Sequence, residues 1–435
     1  MRRSSPLRPT AVTALIAAAV ALGACSQAGL PDDPSSGSPV RTSSGAAGDA
    51  GGDASRSAPA DASTDAPPTT APPTTPPSED VPALAVEVVA EGLSLPWDVQ
   101  LLPDGTALVG ERGGRLLAVG PPDGDDPDAR GRVREVDLDL PDLFVGSEAG
   151  LMGLAVSPAF EQDGTVYACH AARPADQPPD VRVVAVRLDE AATRARVERV
   201  VVDGVPLSSG RHSGCRLLLL DDGTLLVGTG DAAQGGNPQD LGSLGGKVLA
   251  VRPDGTPARP GGHVAGADPR ILTYGHRNVQ GLALRPGTEE VWAVEHGPDV
   301  DDEVNLLRPG ANYGWDPEPG YDESVPMTDL DAFPDAVEAA WSSGAPTRAT
   351  SGAVFLDGPA WGAWDGALAV AELKGSGVTV LTLDGTRVVD EARVAELEGR
   401  YGRLRSLTLD DDGVLWVTTS NGDGADVLLR VAPRG

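Results

Sequence analysis

The sequence predicts an all-β protein, a six-bladed β-propeller, and three observations predict it. One phrase recurs along the chain, a Gly-containing turn leading into a short apolar run. Side chains alternate along those runs, as in Val414, Trp416 and Thr418, with the period of two that a half-buried strand needs. Convincing helical periodicity is nearly absent. A turn-flanked hairpin at a period of roughly 50 to 80 residues is how propeller blades read.

The repeats justify the blades in order. They are LPDGTALVGERGGRLLAV (Leu102–Val119), EQDGTVYACHAA (Glu161–Ala172) and LDDGTLLVGTGDA (Leu220–Ala232). RPGTEEVWAVEHGP (Arg285–Pro298), WDGALAVAELKGSGVTVLTLDG (Trp364–Gly385) and LDDDGVLWVTTSNGDGADVLLRV (Leu409–Val431) complete the set. LAVEVVAEGL (Leu84–Leu93) is expected to add a strand to the last blade beside Asp426–Val431, which closes the ring and leaves few free edges. Asp189–Val200 reads either as a helix or as a polar connection.

The ends organise the rest. Arg2, Arg3 and Arg8 precede an apolar run, Ala11–Leu22, shorter than the roughly 20 residues a spanning helix needs. Leu22-Gly23-Ala24-Cys25 resembles a lipoprotein processing site, so residues 1–24 are expected to be a signal peptide and Cys25 to be lipidated. Residues 25–81, rich in Pro, Ser, Thr, Gly and Ala, hold too little apolar surface to fold and read as a tether. Residues 82–435 are the expected propeller domain. The protein is thus expected outside the cytoplasmic membrane, held to it by the lipid alone.

The formal charge is −30; residues 1–24 carry three basic residues and no acidic one, so removing them gives −33. That charge argues against nucleic acid as a partner. It also makes local cations informative. Apart from Cys25, the chain has only Cys169 and Cys215, which in an exported protein suggest a disulfide; two buried thiols are the alternative.

Unusual residues gather at strand mouths, where propellers carry their functional loops. His212 precedes one apolar run, and Arg277 and Asn278 precede another. Lys374 follows a third, and Arg403 and Arg405 share a face ahead of the last. Four cations on an acidic protein imply a small polyanionic ligand, since guanidinium forks suit carboxylates and phosphates. Gly297, Pro298, Asp302 and Glu303 lie in GPDVDDE, whose hard oxygen donors suit Ca²⁺. His212 at a strand mouth suits a general base.

HSGCRLLLLDDGTLLVGTGD, YGHRNVQGLA, GPDVDDEVNLLRPGANYGW and the RLRS after Lys374 together resemble the soluble quinoprotein glucose and sorbosone dehydrogenases. Those enzymes are six-bladed propellers that bind pyrroloquinoline quinone (PQQ). The resemblance implies that Arg277, Asn278, Lys374, Arg403 and Arg405 hold PQQ. It implies that Gly297 and Pro298 ligate a catalytic Ca²⁺, and that Glu303 and Tyr313, with Asp302, hold a second. His212 would take a hydroxyl proton from a sugar while hydride passes to the quinone, oriented by Asp231. Electrons would then go to an external acceptor. Glu148 stands where the family often has glutamine, near the quinone, and Arg211 where the glucose enzymes have an acid. Cys215 replaces a small residue. The competing readings are a non-catalytic surface propeller that binds carbohydrate or protein, and a calcium-dependent propeller lactonase, whose carboxylate-lined channel fits the cations poorly.

Overall fold

The computed structural model describes residues 80–120 and 131–434. The expected signal peptide, Cys25 and all but the last residues of the expected tether lie outside them.

The recurring Asp-Gly-Thr phrase is a turn device. Asp104, Asp163, Asp222 and Asp254 each accept, through Oδ1, the backbone N–H of the Thr two residues on, at 2.8–3.0 Å. The intervening glycines take φ between +63° and +86°, which side-chain-bearing residues adopt only under strain. The turns at Asp104, Asp163 and Asp222 each fold one short strand back on the next, and that at Asp254 returns the chain to Val251.

Four of the sheets are four-stranded and antiparallel. One comprises Gly214–Leu219, Leu225–Thr229, Lys247–Val251 and Ile271–Tyr274. The next comprises Val279–Leu284, Val291–Glu295, Glu303–Leu306 and Trp341–Ser342. A third runs Thr350–Phe355, Leu368–Glu372, Gly377–Asp384 and Arg387–Arg393. The last holds Leu404–Leu409, Leu415–Thr419 and Asp426–Pro433, with Leu84–Leu93 antiparallel to Asp426–Pro433 as the alternation predicts.

The remaining strands form one eight-stranded sheet. Pro96–Leu101, Ala107–Glu111, Leu116–Val119 and Val133–Leu138 make one half. Leu151–Val156, Thr165–Ala172, Asp180–Leu188 and Arg194–Pro206 make the other. The halves join through a short parallel pairing, Asp137 with Arg194 and Leu138 with Ala195. The ambiguous segment therefore ends as strand: Ala195 is buried between exposed Arg194 and Arg196, and pairing with Asp180–Leu188 decides against helix.

The first strands of these units, beginning at Pro96, Leu151, Gly214, Val279, Thr350 and Leu404, pack on one another in a closed ring. They approach closely: a Cβ on Gly153 would lie 2.2 Å from the Cys215 carbonyl oxygen, and one on Gly281 2.4 Å from that of Ser351. Every one of the six breaks register within its first few residues, at Pro96/Asp98, Leu151/Leu154, Gly214/Arg216, Val279/Gly281, Thr350/Ala353 and Leu404/Ser406. Such bulges re-aim side chains.

Asp98 is the fastener at the centre. It is fully buried; its Oδ1 accepts from Arg216 Nη1 at 2.7 Å and from Ser406 Oγ at 2.5 Å, and its Oδ2 accepts the Leu154 N–H at 2.9 Å. Arg216 also donates to the Gln280 carbonyl at 2.8 Å and lies 4.3 Å from the Trp97 ring centre. One carboxylate and one guanidinium thus tie five of the six inner strands. A disulfide joins Cys169 to Cys215, Cα to Cα 5.8 Å, and so links two neighbouring units three residues beyond His212. Among the described residues no helix is long and apolar enough to cross a membrane.

Candidate active site

His212 sits between Pro206 and the bulged strand that starts at Gly214. Its backbone is left-handed, φ +52°, as are Ala232 and Ala233 at φ +58° and +53°. Non-glycine residues hold this conformation only when the surroundings impose it. Gly230 admits the loop, since a Cβ there would lie 2.0 Å from the His212 carbonyl oxygen.

Asp231 follows the strand Leu225–Thr229 and is fully buried. Its Oδ1 lies 2.8 Å from His212 Nδ1 and accepts the Ala233 N–H at 2.7 Å. Its Oδ2 accepts from Trp315 Nε1 at 2.9 Å and from the Tyr321 hydroxyl at 2.8 Å. A carboxylate with three other donors is an acceptor toward the imidazole, so Nδ1 carries a proton and Nε2 is the nitrogen that can take one. His212 itself is only 3% exposed.

The adjacent strand mouth brings Arg277 and Asn278. The Asp231 N–H donates to the Arg277 carbonyl at 2.9 Å, which fixes the two mouths together. Arg277 donates to the His296 carbonyl at 2.5 Å and to Glu323 at 2.6 Å. Asn278 accepts from the Gly214 N–H at 3.1 Å and donates to Glu148 at 3.0 Å. Burial works against ionisation of Glu148, but His212, His296, Asn278 and the His212 backbone N–H outweigh it and hold the carboxyl below its ordinary range.

Arg405 is buried and donates to Gln280 at 2.9 Å. Burial pulls its pKa down to about 9, with Glu148 opposing and Arg216, Arg403 and Arg112 adding to the fall. Arg403 is exposed, yet burial of its guanidinium and the nearby Arg112 lower it too. Arg112 therefore belongs with these cations. It follows the strand Ala107–Glu111 directly, and the strand-mouth rule that selects the others selects it equally. Lys374 is exposed in the turn after Leu368–Glu372, apart from these hydrogen bonds.

The sequence reasoning also missed Tyr321 and Glu323. Tyr321 Oη lies 2.7 Å from His212 Nδ1, and Glu323 pairs with both Arg211, at 2.6 Å, and Arg277. Both lie in a long irregular segment between Leu306 and Trp341, where no strand pattern marks a residue as close to the axis.

The acidic loop divides by role. Asp302 accepts from the Gly297 N–H, the Thr347 hydroxyl and the Arg348 and Ala349 N–H groups, at 2.6–3.0 Å, and so fastens the loop. Tyr313 gives its hydroxyl proton to the Leu306 carbonyl and stacks on His276, 4.5 Å between ring centres. His276 pairs with Glu295 at 2.5 Å and is part of the scaffold. Glu303 is buried; burial and the neighbouring Glu295 push its pKa up to about 8. Asn305 donates to both carboxylates at 3.2 Å, while its Oδ1 is buried without a hydrogen-bond partner. Among the described residues no three His, Cys, Asp or Glu side chains form a metal cluster.

An all-β ring of inner strands around a buried His–Asp pair and converging arginines defines the class. The chain belongs to the glucose/sorbosone dehydrogenase family, which it matches over residues 93–430. An aldose sugar dehydrogenase of Escherichia coli is 29% identical over 367 residues, 80% of this chain and 93% of that protein. An uncharacterised protein of Synechocystis is 33% identical over 386 residues, 80% of this chain and 87% of that one. Among solved structures, the PQQ-bound aldose sugar dehydrogenase of Streptomyces coelicolor is 31% identical with a TM-score of 0.67, covering 82% of this chain and all of that one.

Proposed function

We propose that the protein is a PQQ- and calcium-dependent dehydrogenase that oxidises a hydroxyl of an aldose or similar alcohol, built as a six-bladed propeller in which the eight-stranded sheet counts as two blades. The observation that carries the reading is the buried His212–Asp231 pair beside Arg112, Arg277 and Arg405, each of whose Nε atoms is buried without a hydrogen-bond partner. A small polycarboxylate is the ligand that such orphaned donors suit. Arg277, Arg403 and Arg405, with Arg112, Asn278 and the exposed Lys374, would hold PQQ. When bound, it would supply the two-electron acceptor that hydroxyl oxidation requires.

The protein's own part is proton handling. Asp231 holds Nδ1–H, so His212 presents Nε2 as base to the substrate hydroxyl. The imidazolium that forms is stabilised by the Asp231 carboxylate, a buried charge-assisted pair. Glu148, compensated by Asn278 and the His212 N–H, adds negative charge close to the same ring.

Calcium has two candidate places. The Gly297 and Pro298 carbonyls would serve the catalytic ion. Glu303, raised by burial and by its neighbour Glu295, and the orphaned Asn305 Oδ1 form a hard oxygen set that a divalent cation would neutralise, and Tyr313 would be a further ligand. Asp302 fastens the loop that carries both. We further propose export, with Cys25 lipidated and residues 25–81 as the tether; mass spectrometry of the mature N-terminus would reveal a diacylated Cys25, and an unmodified one ends that proposal.

The test is dye reduction by purified protein over a panel of aldoses, with PQQ and Ca²⁺ added singly and together. Turnover that needs both supports the reading, and His212→Ala should abolish it while PQQ still binds. A variant that keeps full activity refutes the role of His212. Absence of PQQ binding by the wild type refutes the cofactor site and returns the non-catalytic binding propeller to first place.

A further inference from the structure

We propose that Tyr321 is a positioning residue for His212, delivered by a strap, residues 316–325, that Glu323 fastens across the site; the inference rests on the reading of His212 as the base. The strap belongs to none of the sheets and reaches the site from the segment after Glu303–Leu306. Tyr321 takes φ +64°, a left-handed backbone that a bulky residue rarely adopts. Its hydroxyl lies 2.7 Å from His212 Nδ1 and 2.8 Å from Asp231 Oδ2, and Asp231 Oδ1 lies 2.8 Å from the same Nδ1. Three side chains close a triangle on one imidazole nitrogen.

The proton count of that triangle is determined. The phenol has one proton, and its donation to Asp231 leaves its oxygen as an acceptor toward Nδ1–H. Burial and the Asp231 charge push the Tyr321 phenol well above its ordinary range, so it stays protonated. The Nδ1 hydrogen then sits between two oxygens, and rotation of the ring breaks both contacts. Nε2 is left as the proton acceptor, in one orientation.

Two residues on, Glu323 anchors the strap. Both its oxygens reach Arg211 Nη2, at 2.6 and 2.7 Å, and Oε1 reaches Arg277 Nη2 at 2.6 Å. Arg211 precedes His212, and the Arg277 carbonyl accepts the Asp231 N–H, so the clamp ties the strap to the loop that carries His212 and to the neighbouring loop that holds Asp231. The charged and titratable groups around His212 are Asp231, Tyr321, Glu148 and His296, with Arg211, Arg277 and Glu323 behind Tyr321. Of these, Asp231 and Tyr321 are the ones that contact Nδ1.

The experiment compares Tyr321→Phe with the wild type, in the full chain labelled with ¹⁵N-histidine. The ring stays and only the hydroxyl goes, so Phe guards against the collapse that Tyr321→Ala risks. The first readout is the Nδ1–H resonance of His212, assigned by its loss in His212→Ala. The second is the pH profile of kcat/KM. Tyr321→Phe should move the resonance and speed its exchange with water. It should also lower kcat by about tenfold, the effect of one lost hydrogen bond, with KM little changed and the acid limb displaced. An unmoved resonance, or an unmoved pH profile with activity falling only as thermal stability falls, overturns the proposal. If the wild type oxidises no sugar, the functional reading fails, and the resonance alone still decides whether Tyr321 holds the ring.

Discussion

Replacing Asp98 with alanine should cost the fold more than any surface change, and the structure sets the size. Asp98 is fully buried and Arg216 is 5% exposed. Without the carboxylate, Arg216 keeps the Gln280 carbonyl and a long contact of 3.3 Å with Ser406 Oγ, but no counter-charge. Breaking one side of a buried ion pair costs about 3–5 kcal/mol. The orphaned Leu154 N–H adds about 1–3 kcal/mol. Total stabilities run about 5–15 kcal/mol, so Asp98→Ala removes a large part of the margin. Equilibrium urea unfolding followed by tryptophan emission measures it, since Trp97 lies against the Arg216 guanidinium. The double variant Asp98→Ala/Arg216→Met separates charge from packing: removing the stranded guanidinium should recover about 2 kcal/mol. A loss below about 1 kcal/mol in Asp98→Ala, or single losses that simply add, refutes the fastener.

The disulfide closes a 46-residue separation, and its removal in Cys169→Ser/Cys215→Ser should cost about 4 kcal/mol by loop entropy, read from urea midpoints; a loss under about 1 kcal/mol sinks that account. Burial opposes ionisation of Glu323, but hydrogen bonds from Arg211 and Arg277 and their charges hold its pKa to about 2, against an ordinary 4.5. A carboxyl depressed in the folded state stabilises fully above the ordinary value and loses that stabilisation as pH falls toward the folded one. The melting-temperature gap between wild type and Glu323→Gln should therefore hold steady from pH 7 to 5 and narrow toward pH 2; a gap unchanged at pH 2 refutes the clamp.

The Asp-Gly-Thr turns and the alternating apolar runs were legible because both are local. A turn needs its glycine, and a half-buried strand needs its period of two, whatever surrounds them. His212, Arg277, Asn278, Arg403 and Arg405 were legible for the same reason: they interrupt that pattern at strand mouths. The Cys169–Cys215 pairing followed from there being two cysteines left to pair.

Tertiary structure decided what the local pattern does not encode. Bulges at the start of all six inner strands turn Asp98, Arg216 and Arg405 inward, and a bulge breaks the alternation from which facing is read. Arg216 became the partner of Asp98 across 118 positions, a contact that ring closure alone creates. Composition offers Asp302 as a ligand, and only the fold shows its oxygens accepting from the Thr347 hydroxyl and the Arg348 and Ala349 N–H groups, 45 to 47 residues away. Tyr321 and Glu323 lie in a segment without periodicity, so only the folded chain brings a phenol to within 2.7 Å of the imidazole. Sequence by itself marked candidate residues at the strand mouths, because residue type and local period are written in it; the meeting of Asp231 and Tyr321 at His212 Nδ1 depended on long-range packing, which is not.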